Sequence, residues 1–204
     1  MGELSITSFL TLDGIMQAPG GPGEDPSGGF QHEGWMVPHV DEEFGTYVTD
    51  IFTRAGAFLI GRGTYDIFAA YWPNVPDDDD PVNNKLNHLP KHVASRTTTK
   101  FDWHNSHHVK DVLQEVAALK AQTKGELQVH GSPGLAQTLI QHDLIDQYNL
   151  LFYPVVLGGQ GKRLFGIGAM PANLALVQSQ PGSKGAIYTT YRRTGKFEKG
   201  TFAP

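Results

Sequence analysis

The sequence predicts an α/β protein whose mixed, mostly parallel sheet is covered by helices on both faces, and three observations predict it. Short apolar runs bounded by glycine alternate with segments of helical periodicity. Two of those runs pass through glycine turns straight into helices, at Ile60-Gly61-Arg62-Gly63-Thr64-Tyr65 and at His130-Gly131-Ser132-Pro133-Gly134-Leu135. The stretch from Leu174 to Arg193 reads as two strands joined at Pro181-Gly182-Ser183-Lys184-Gly185, an antiparallel hairpin. A chain of 204 residues fits one domain, residues 1–204, because single cores stop growing only near ~250–300 residues.

The elements follow in order. Leu4 to Leu10 alternates apolar and polar residues as a strand does. Residues 18–34 are crowded with glycine and proline, which hold neither a ladder nor a helix, so a long mobile loop or lid is expected. Pro38 can open a helix that runs to about Arg54, with Val40, Phe44, Val48, Ile51 and Phe52 at helical spacing and Asp41, Glu42 and Glu43 near its positive end. Ala57 to Ile60 suits a buried strand, Thr64 to Tyr71 a helix, and Pro73 to Asn84 a polar loop whose acidic run, Asp77 to Asp80, is solvated. His92 to Ser95 makes another strand, and Val109 to Lys124 a helix. Leu127 to His130 is a strand that enters a helix ending near His142, and Asp146 to Leu157 is rich in β formers.

Composition narrows the function classes. A net charge of -5 with dispersed Lys and Arg offers no basic stripe for nucleic acid. No cysteine is present, which removes disulfides, thiolate metal sites and cysteine nucleophiles. No apolar run approaches the ~20 residues of a membrane span, and the expected compartment is the cytoplasm.

The two glycine turns are candidate anion sites. Glycine lets the backbone approach a phosphate, the free amides of the first helical turn point at it, and the helix dipole favours its charge. Two such turns suit a diphosphate, and Arg62 adds a planar cation matched to a phosphate. The spacing fits neither a P-loop nor GxGxxG, and glycines also simply end strands in α/β folds.

Taken together, several pieces resemble the reductase-domain family of riboflavin biosynthesis, within the dihydrofolate-reductase-like superfamily. They are Thr11-Leu12-Asp13-Gly14, Leu59 to Tyr65, Ser95-Arg96, Val129-His130-Gly131-Ser132, and Tyr153-Pro154-Val155-Val156-Leu157-Gly158-Gly159 with Leu164-Phe165. The resemblance covers nearly the whole chain. It implies a three-layer αβα fold and NADP(H) lying across the carboxyl ends of the strands, which agrees with the crevice rule for open sheets. Carried over, Gly61, Arg62 and Thr64 would hold the phosphates, Ser95 and Arg96 the adenosine 2′-phosphate, and Gly131, Ser132, Gly134 and Leu135 the diphosphate. Ser132 departs from the paired glycines of that turn, and its side chain would either cap the helix or crowd the backbone.

The resemblance also implies a hydride acceptor set against Leu12, Asp13 and Gly14 under the loop, with Pro154 and Val156 walling the nicotinamide. Asp13 and Asp41 are the candidate proton donors, with carboxyls raised above their ordinary range by burial beside Trp35 and Leu12. Against this, Asp13 can be a turn residue bonding its own backbone, and Asp41 to Glu43 favourable charge at a helix start. Trp35, Trp72 and Trp103 can stack on a flat heterocycle, Trp35 beside the loop first among them, while large aromatics more often fill the core or cover its edge. His104, His107 and His108 match no common zinc spacing, and no metal is expected. Lys91, Lys162 and Arg163 are either receptors for a substrate phosphate or solvated surface charges. The expected activity is NADPH-dependent reduction of a pterin- or pyrimidine-like substrate by a homodimer. The alternative is a non-catalytic dimer that keeps the nucleotide crevice.

Overall fold

The computed structural model describes residues 2–76 and 80–202, and Asp77, Asp78 and Asp79 of the acidic run lie outside them. Eight strands form one sheet: β1 Glu3–Thr11, β2 Ala55–Gly61, β3 Lys91–Ala94, β4 Ser106–Val109, β5 Glu126–His130, β6 Gln147–Tyr153, β7 Leu174–Pro181 and β8 Ile187–Arg193. Their order is β4-β3-β2-β5-β1-β6-β8-β7. The first six strands pair in parallel, β8 lies antiparallel to β6, and β7 to β8. The predicted mixed sheet with a terminal hairpin is the observed one.

The helices are α1 Glu42–Thr53, α2 Arg62–Tyr71, α3 Pro81–His88, α4 Val112–Gln122 and α5 Pro133–Gln141. They divide between the two faces because β1, β2 and β5 are buried on both sides and alternate their side chains across the pleat. Leu4, Ile6, Leu59 and Val129 pack with Leu135, Leu139 and Val116 beneath α4 and α5. On the other face Phe58 and Ile60 pack with Phe52, Tyr65, Leu86 and Trp103, while Tyr153 and Tyr188 pack with Trp35, Tyr47 and Ile51.

Several sequence-based boundaries move, each for a local reason. The helix expected from Pro38 is a single 3-10 turn at Val37–His39, after which Val40 and Asp41 are extended. Asp41 caps α1, its Oδ1 accepting from the Phe44 amide at 2.8 Å, so its short side chain ends one segment and begins the next. The polar loop expected through Asn84 instead contains α3. Its low apolar content hid it, because it is held by polar bonds: Asp80 accepts from the Val82 amide, and the fully buried Asn83 donates to the Pro76 carbonyl. Lys91, a candidate phosphate receptor, is fully buried and donates to the Leu86, Leu89 and Asn87 carbonyls at the end of α3. Burial without an anionic partner lowers its pKa to about 8, and it is a helix cap rather than a ligand site. The polar segment around His107 is strand β4 at the sheet edge, and α4 begins only after Asp111, whose Oδ1 accepts from Leu113 and Gln114.

Candidate active site

The carboxyl ends of β1, β2, β3 and β5 open into one cleft of about 1240 Å³. The two glycine turns face each other there. Gly61 ends β2 and begins α2, and a Cβ at Gly61 would stand 2.5 Å from Ser132 Oγ and 2.6 Å from its Cβ, so only glycine lets the turns close on one another. Ser132 neither caps α5 nor stands clear of the turn: its backbone is left-handed at φ 58°, and its Oγ donates to Thr64 Oγ1 at 2.6 Å. That bond ties the second turn to the first. A Cβ on Gly63 or Gly134, both bordering the cleft, would meet only open space. The starts of α2 and α5, whose first amides have no intrahelical partner, therefore remain open to an anion, and the residues fit the diphosphate of a dinucleotide.

Farther along the sheet, Ser95 Oγ accepts from the Thr97 and Thr98 amides at 3.3 and 2.9 Å, which shapes the turn that carries Arg96. Arg96 is exposed and bonds no described residue, whereas Arg62 Nε contacts both Asp66 carboxylate oxygens at 2.7 and 2.8 Å and its Nη1 meets Thr98 Oγ1. The cleft thus brings together every residue assigned to the cofactor by resemblance: Gly61, Arg62, Thr64, Ser95, Arg96, Gly131, Ser132, Gly134 and Leu135.

The residues assigned to the substrate are placed differently. Leu12 and Val156 are exposed, Pro154 follows the end of β6, and Gly14 turns at φ 81° beside Arg163. Trp35 is buried, packs edge-on to Tyr153 and donates from Nε1 to the Gln17 carbonyl at 2.8 Å. None of these five borders the cleft. Its wall at this end is instead Phe44, Val48 and Phe52 of α1, with Phe9 of β1, Met16 and Met36. Periodicity identified the α1 stripe, but an apolar stripe packed on a core and one lining a cleft look alike in sequence.

The two carboxyls require a correction. Asp13 accepts from Thr11 Oγ1 at 2.6 Å and from the Leu157 and Gly158 amides at 3.3 and 2.9 Å, with Arg163 Nη2 3.6 Å away. Burial alone would raise it, but those hydrogen bonds outweigh burial and hold it below the ordinary carboxylate range. Asp41 behaves in the same way: burial raises it, while Tyr188 Oη and the Phe44 and Lys184 amides lower it further. The expected rise is absent because both carboxylates are ringed by donors, and neither borders the cleft.

The glycine-rich loop is laced by side chains rather than by a ladder. Gln17 Nε2 donates to the Asp25 and Ser27 carbonyls at 2.9 Å, Glu33 accepts from the Gly23 and Asp25 amides, and Lys162 Nζ bonds Asp25 Oδ2 at 2.5 Å and Ser27 Oγ at 2.6 Å. Its residues from Ala18 to Gly20, with Glu24 and Asp25, roof the cleft. Burial raises the Glu24 carboxyl, only partly offset by the Gly20 and Gly21 amides.

His130 closes β5 at the cleft wall, stacked on Phe52 with ring centroids 4.5 Å apart. Gln128 Nε2 donates to the Ile51 carbonyl and to Glu126 Oε2, so Gln128 Oε1 is an acceptor and His130 Nε2, 3.0 Å away, carries the proton. Arg54 anchors this row through Glu126 Oε1 at 2.7 Å. Complete burial lowers the imidazole to about 3 and keeps it neutral. Sequence reading used His130 only as part of a turn, since two chain segments of different hydropathy had to meet before its environment existed. Among the described residues no group of three or more His, Cys, Asp or Glu is arranged to hold a metal. His107 Nε2 pairs with Asn105 Oδ1, and His108 Nε2 with the Ser95 carbonyl. No helix among the described residues is long and apolar enough to cross a membrane.

Comparison with known proteins agrees with this architecture. Over 191 residues the chain is 28% identical to the YyaP protein of Bacillus subtilis (strain 168), covering 91% of this chain and 92% of that protein. Its structure is similar to a putative riboflavin biosynthesis protein from Shewanella sp. PV-4, at TM-score 0.66 and 21% identity over 96% of this chain and 100% of that one. A pyrimidine reductase-like protein from Corynebacterium diphtheriae gives TM-score 0.66 at 15% identity, over 96% of this chain and 93% of that one. The dihydrofolate reductase of Enterococcus faecalis, complexed with NADP(H) and RAB-propyl, gives 0.60 at 15% identity over 95% and 98%. The fold is thus dihydrofolate-reductase-like, and with a family match over residues 3–188 the chain belongs to the reductase-like RibD C-terminal domain family.

Proposed function

We propose that this protein is an NADPH-dependent reductase of a small heterocyclic substrate. One observation carries the reading: two helix starts, tied together through Ser132 and Thr64, open onto a single cleft that has free Arg96 at one end and an apolar wall at the other. The strand order sets the direction. With the 2′-phosphate at Ser95 and Arg96 after β3 and the diphosphate at the turns after β2 and β5, the redox end of the dinucleotide falls on β1, beside Phe9 and Met16. NADPH bound there supplies a hydride. The protein's own residues orient the dinucleotide, and the loop roof with Phe44, Val48 and Phe52 excludes water from the acceptor.

The test is NADPH and NADH binding by calorimetry, followed by NADPH oxidation across a panel of pterins and pyrimidines. Preferential NADPH binding with turnover on one ring is the expected result. Equal affinity for both nucleotides, or binding of neither, overturns the cofactor assignment. A second reading, a nucleotide-binding protein without turnover, is favoured by one observation: Asp13 and Asp41 are both saturated with donors and stand outside the cleft. Tight NADPH binding with no oxidation on any ring supports that reading. The proposed assembly is a cytoplasmic homodimer. It is supported by the β7 edge of the sheet, where Leu176 and Val177 of β7 and Ile187 of the adjoining β8 are exposed.

A further inference from the structure

We infer that the half of the cleft beside β1 and α1 takes a flat heterocycle with an N–H-rich edge and no phosphate group, selected by Glu24. This names the substrate class of the reductase proposed above and rests on that reading.

The distribution of charge carries the first part. Four described cations border the cleft, and three of them, Arg62, Arg96 and Lys110, belong to the turns after β2, β3 and β4. The fourth, Lys162, reaches the substrate half, but its Nζ is already bound to Asp25 Oδ2 and Ser27 Oγ. Asp25 on the same roof is offset by that Lys162 contact, which leaves the Glu24 carboxylate, bonded among the described residues only to backbone amides, as its unpaired charge. A phosphate monoester placed there would meet like charge at short range with no uncommitted cation to offset it. A neutral or cationic ring meets no such penalty.

The second part follows from hydrogen-bonding capacity. Glu24 Oε2 accepts from the Gly20 amide at 2.6 Å and the Gly21 amide at 3.2 Å, which holds the carboxylate in place. No bond to Oε1 is formed by any described residue. An ionised carboxylate only accepts, so the free oxygen selects a ligand that presents N–H groups. Phe44, Val48 and Phe52, one helical turn apart, give the ring an apolar face to lie on.

The experiment titrates the full chain with three probes, 2,4-diaminopyrimidine, uracil and uridine 5′-monophosphate, with and without saturating NADPH, reading binding by calorimetry. The diaminopyrimidine is expected to bind roughly tenfold or more tightly than the nucleotide monophosphate. Glu24→Gln, which keeps an oxygen for the Gly20 and Gly21 amides, is expected to weaken it roughly tenfold, the size of one charge-assisted hydrogen bond. NADPH affinity should stay unchanged in that variant. Equal or tighter binding of uridine 5′-monophosphate, unchanged diaminopyrimidine affinity in Glu24→Gln, or binding of none of the three probes overturns the inference. The NADPH titration run alongside keeps the two readings apart. A parent protein that fails to bind NADPH sinks the reductase reading, whereas one that binds NADPH but shows the wrong probe order sinks only the substrate class.

Discussion

The two halves of the cleft are built in opposite ways. The half proposed to hold the cofactor comes from three turns, after β2, β3 and β5, each of them a continuous piece of chain in which a strand runs into a turn carrying Gly, Ser or Arg. The half proposed for the substrate is assembled from pieces far apart in sequence: Phe9 of β1, the roof at Ala18 to Gly20 with Glu24 and Asp25, the α1 stripe at Phe44, Val48 and Phe52, and Lys162. A local turn carries its anion-binding chemistry in its own backbone. A composite wall acquires its chemistry only when its parts meet. The cofactor half should therefore tolerate few substitutions at its turns, and the substrate half should be open to change without loss of fold.

The largest expected effect lies at the contact between the two turns. Gly61→Val would force a side chain into Ser132, an overpacking that costs about 3 kcal/mol, and thermal melts should show the loss along with NADPH binding. Adding Ser132→Gly should recover part of both, because it removes the atoms that the new side chain would strike. A double variant no better than the single one would show that the turns do not depend on each other.

In the substrate half, Gly45→Phe tests the opposite expectation. Gly45 borders the cleft on α1 and a Cβ there meets nothing within 4 Å, so the ring can enter the cleft without straining the helix. Turnover should fall roughly a hundredfold, about 2.7 kcal/mol, with NADPH affinity within about twofold of the parent. Stability should not fall, since glycine inside a helix costs about 1 kcal/mol relative to good helix formers. Parallel loss of NADPH binding would mean that the halves are not separable.

Within the cofactor half the two arginines differ. Arg96 bonds no described residue while Arg62 is held by Asp66, so Arg96→Ala should reduce the preference for NADPH over NADH roughly tenfold and Arg62→Ala by less. The reverse order in calorimetry would make Arg62 the 2′-phosphate ligand.

The smallest effect near neutral pH concerns His130, where the halves join. Burial holds it at about 3, against an ordinary value of 6.5. Between those values the unfolded chain binds a proton that the folded protein refuses. This contribution is therefore intact above about 6.5 and is lost as pH falls, at about 1.4 kcal/mol per pH unit. Urea unfolding at pH 7 and pH 5 should show that loss in the parent and a shallower one in His130→Gln. Equal slopes would mean that the cleft wall is wet and the imidazole titrates in the folded protein as it does in the unfolded chain.

Much of the fold was legible because parallel strands buried on both faces read as short apolar runs, as at Ala57 to Ile60 and Leu127 to His130. The glycine turns were legible for the same local reason. Elements held by polar bonds were not: α3 depends on Asn83 reaching Pro76 and on Lys91 capping its end, and β4 becomes a strand by pairing with β3. The sequence by itself determined the apolar strands, the amphipathic helices and the two glycine turns, since these follow from periodicity and backbone freedom within a few residues. Only the tertiary structure decided that the α1 stripe lines a cleft, that Glu24 roofs it, that Asp13 and Asp41 stand outside it with lowered carboxyls, and that His130 is neutral. Those properties depend on which distant donors, charges and apolar surfaces surround a group, and burial and electrostatics arise from that assembled environment.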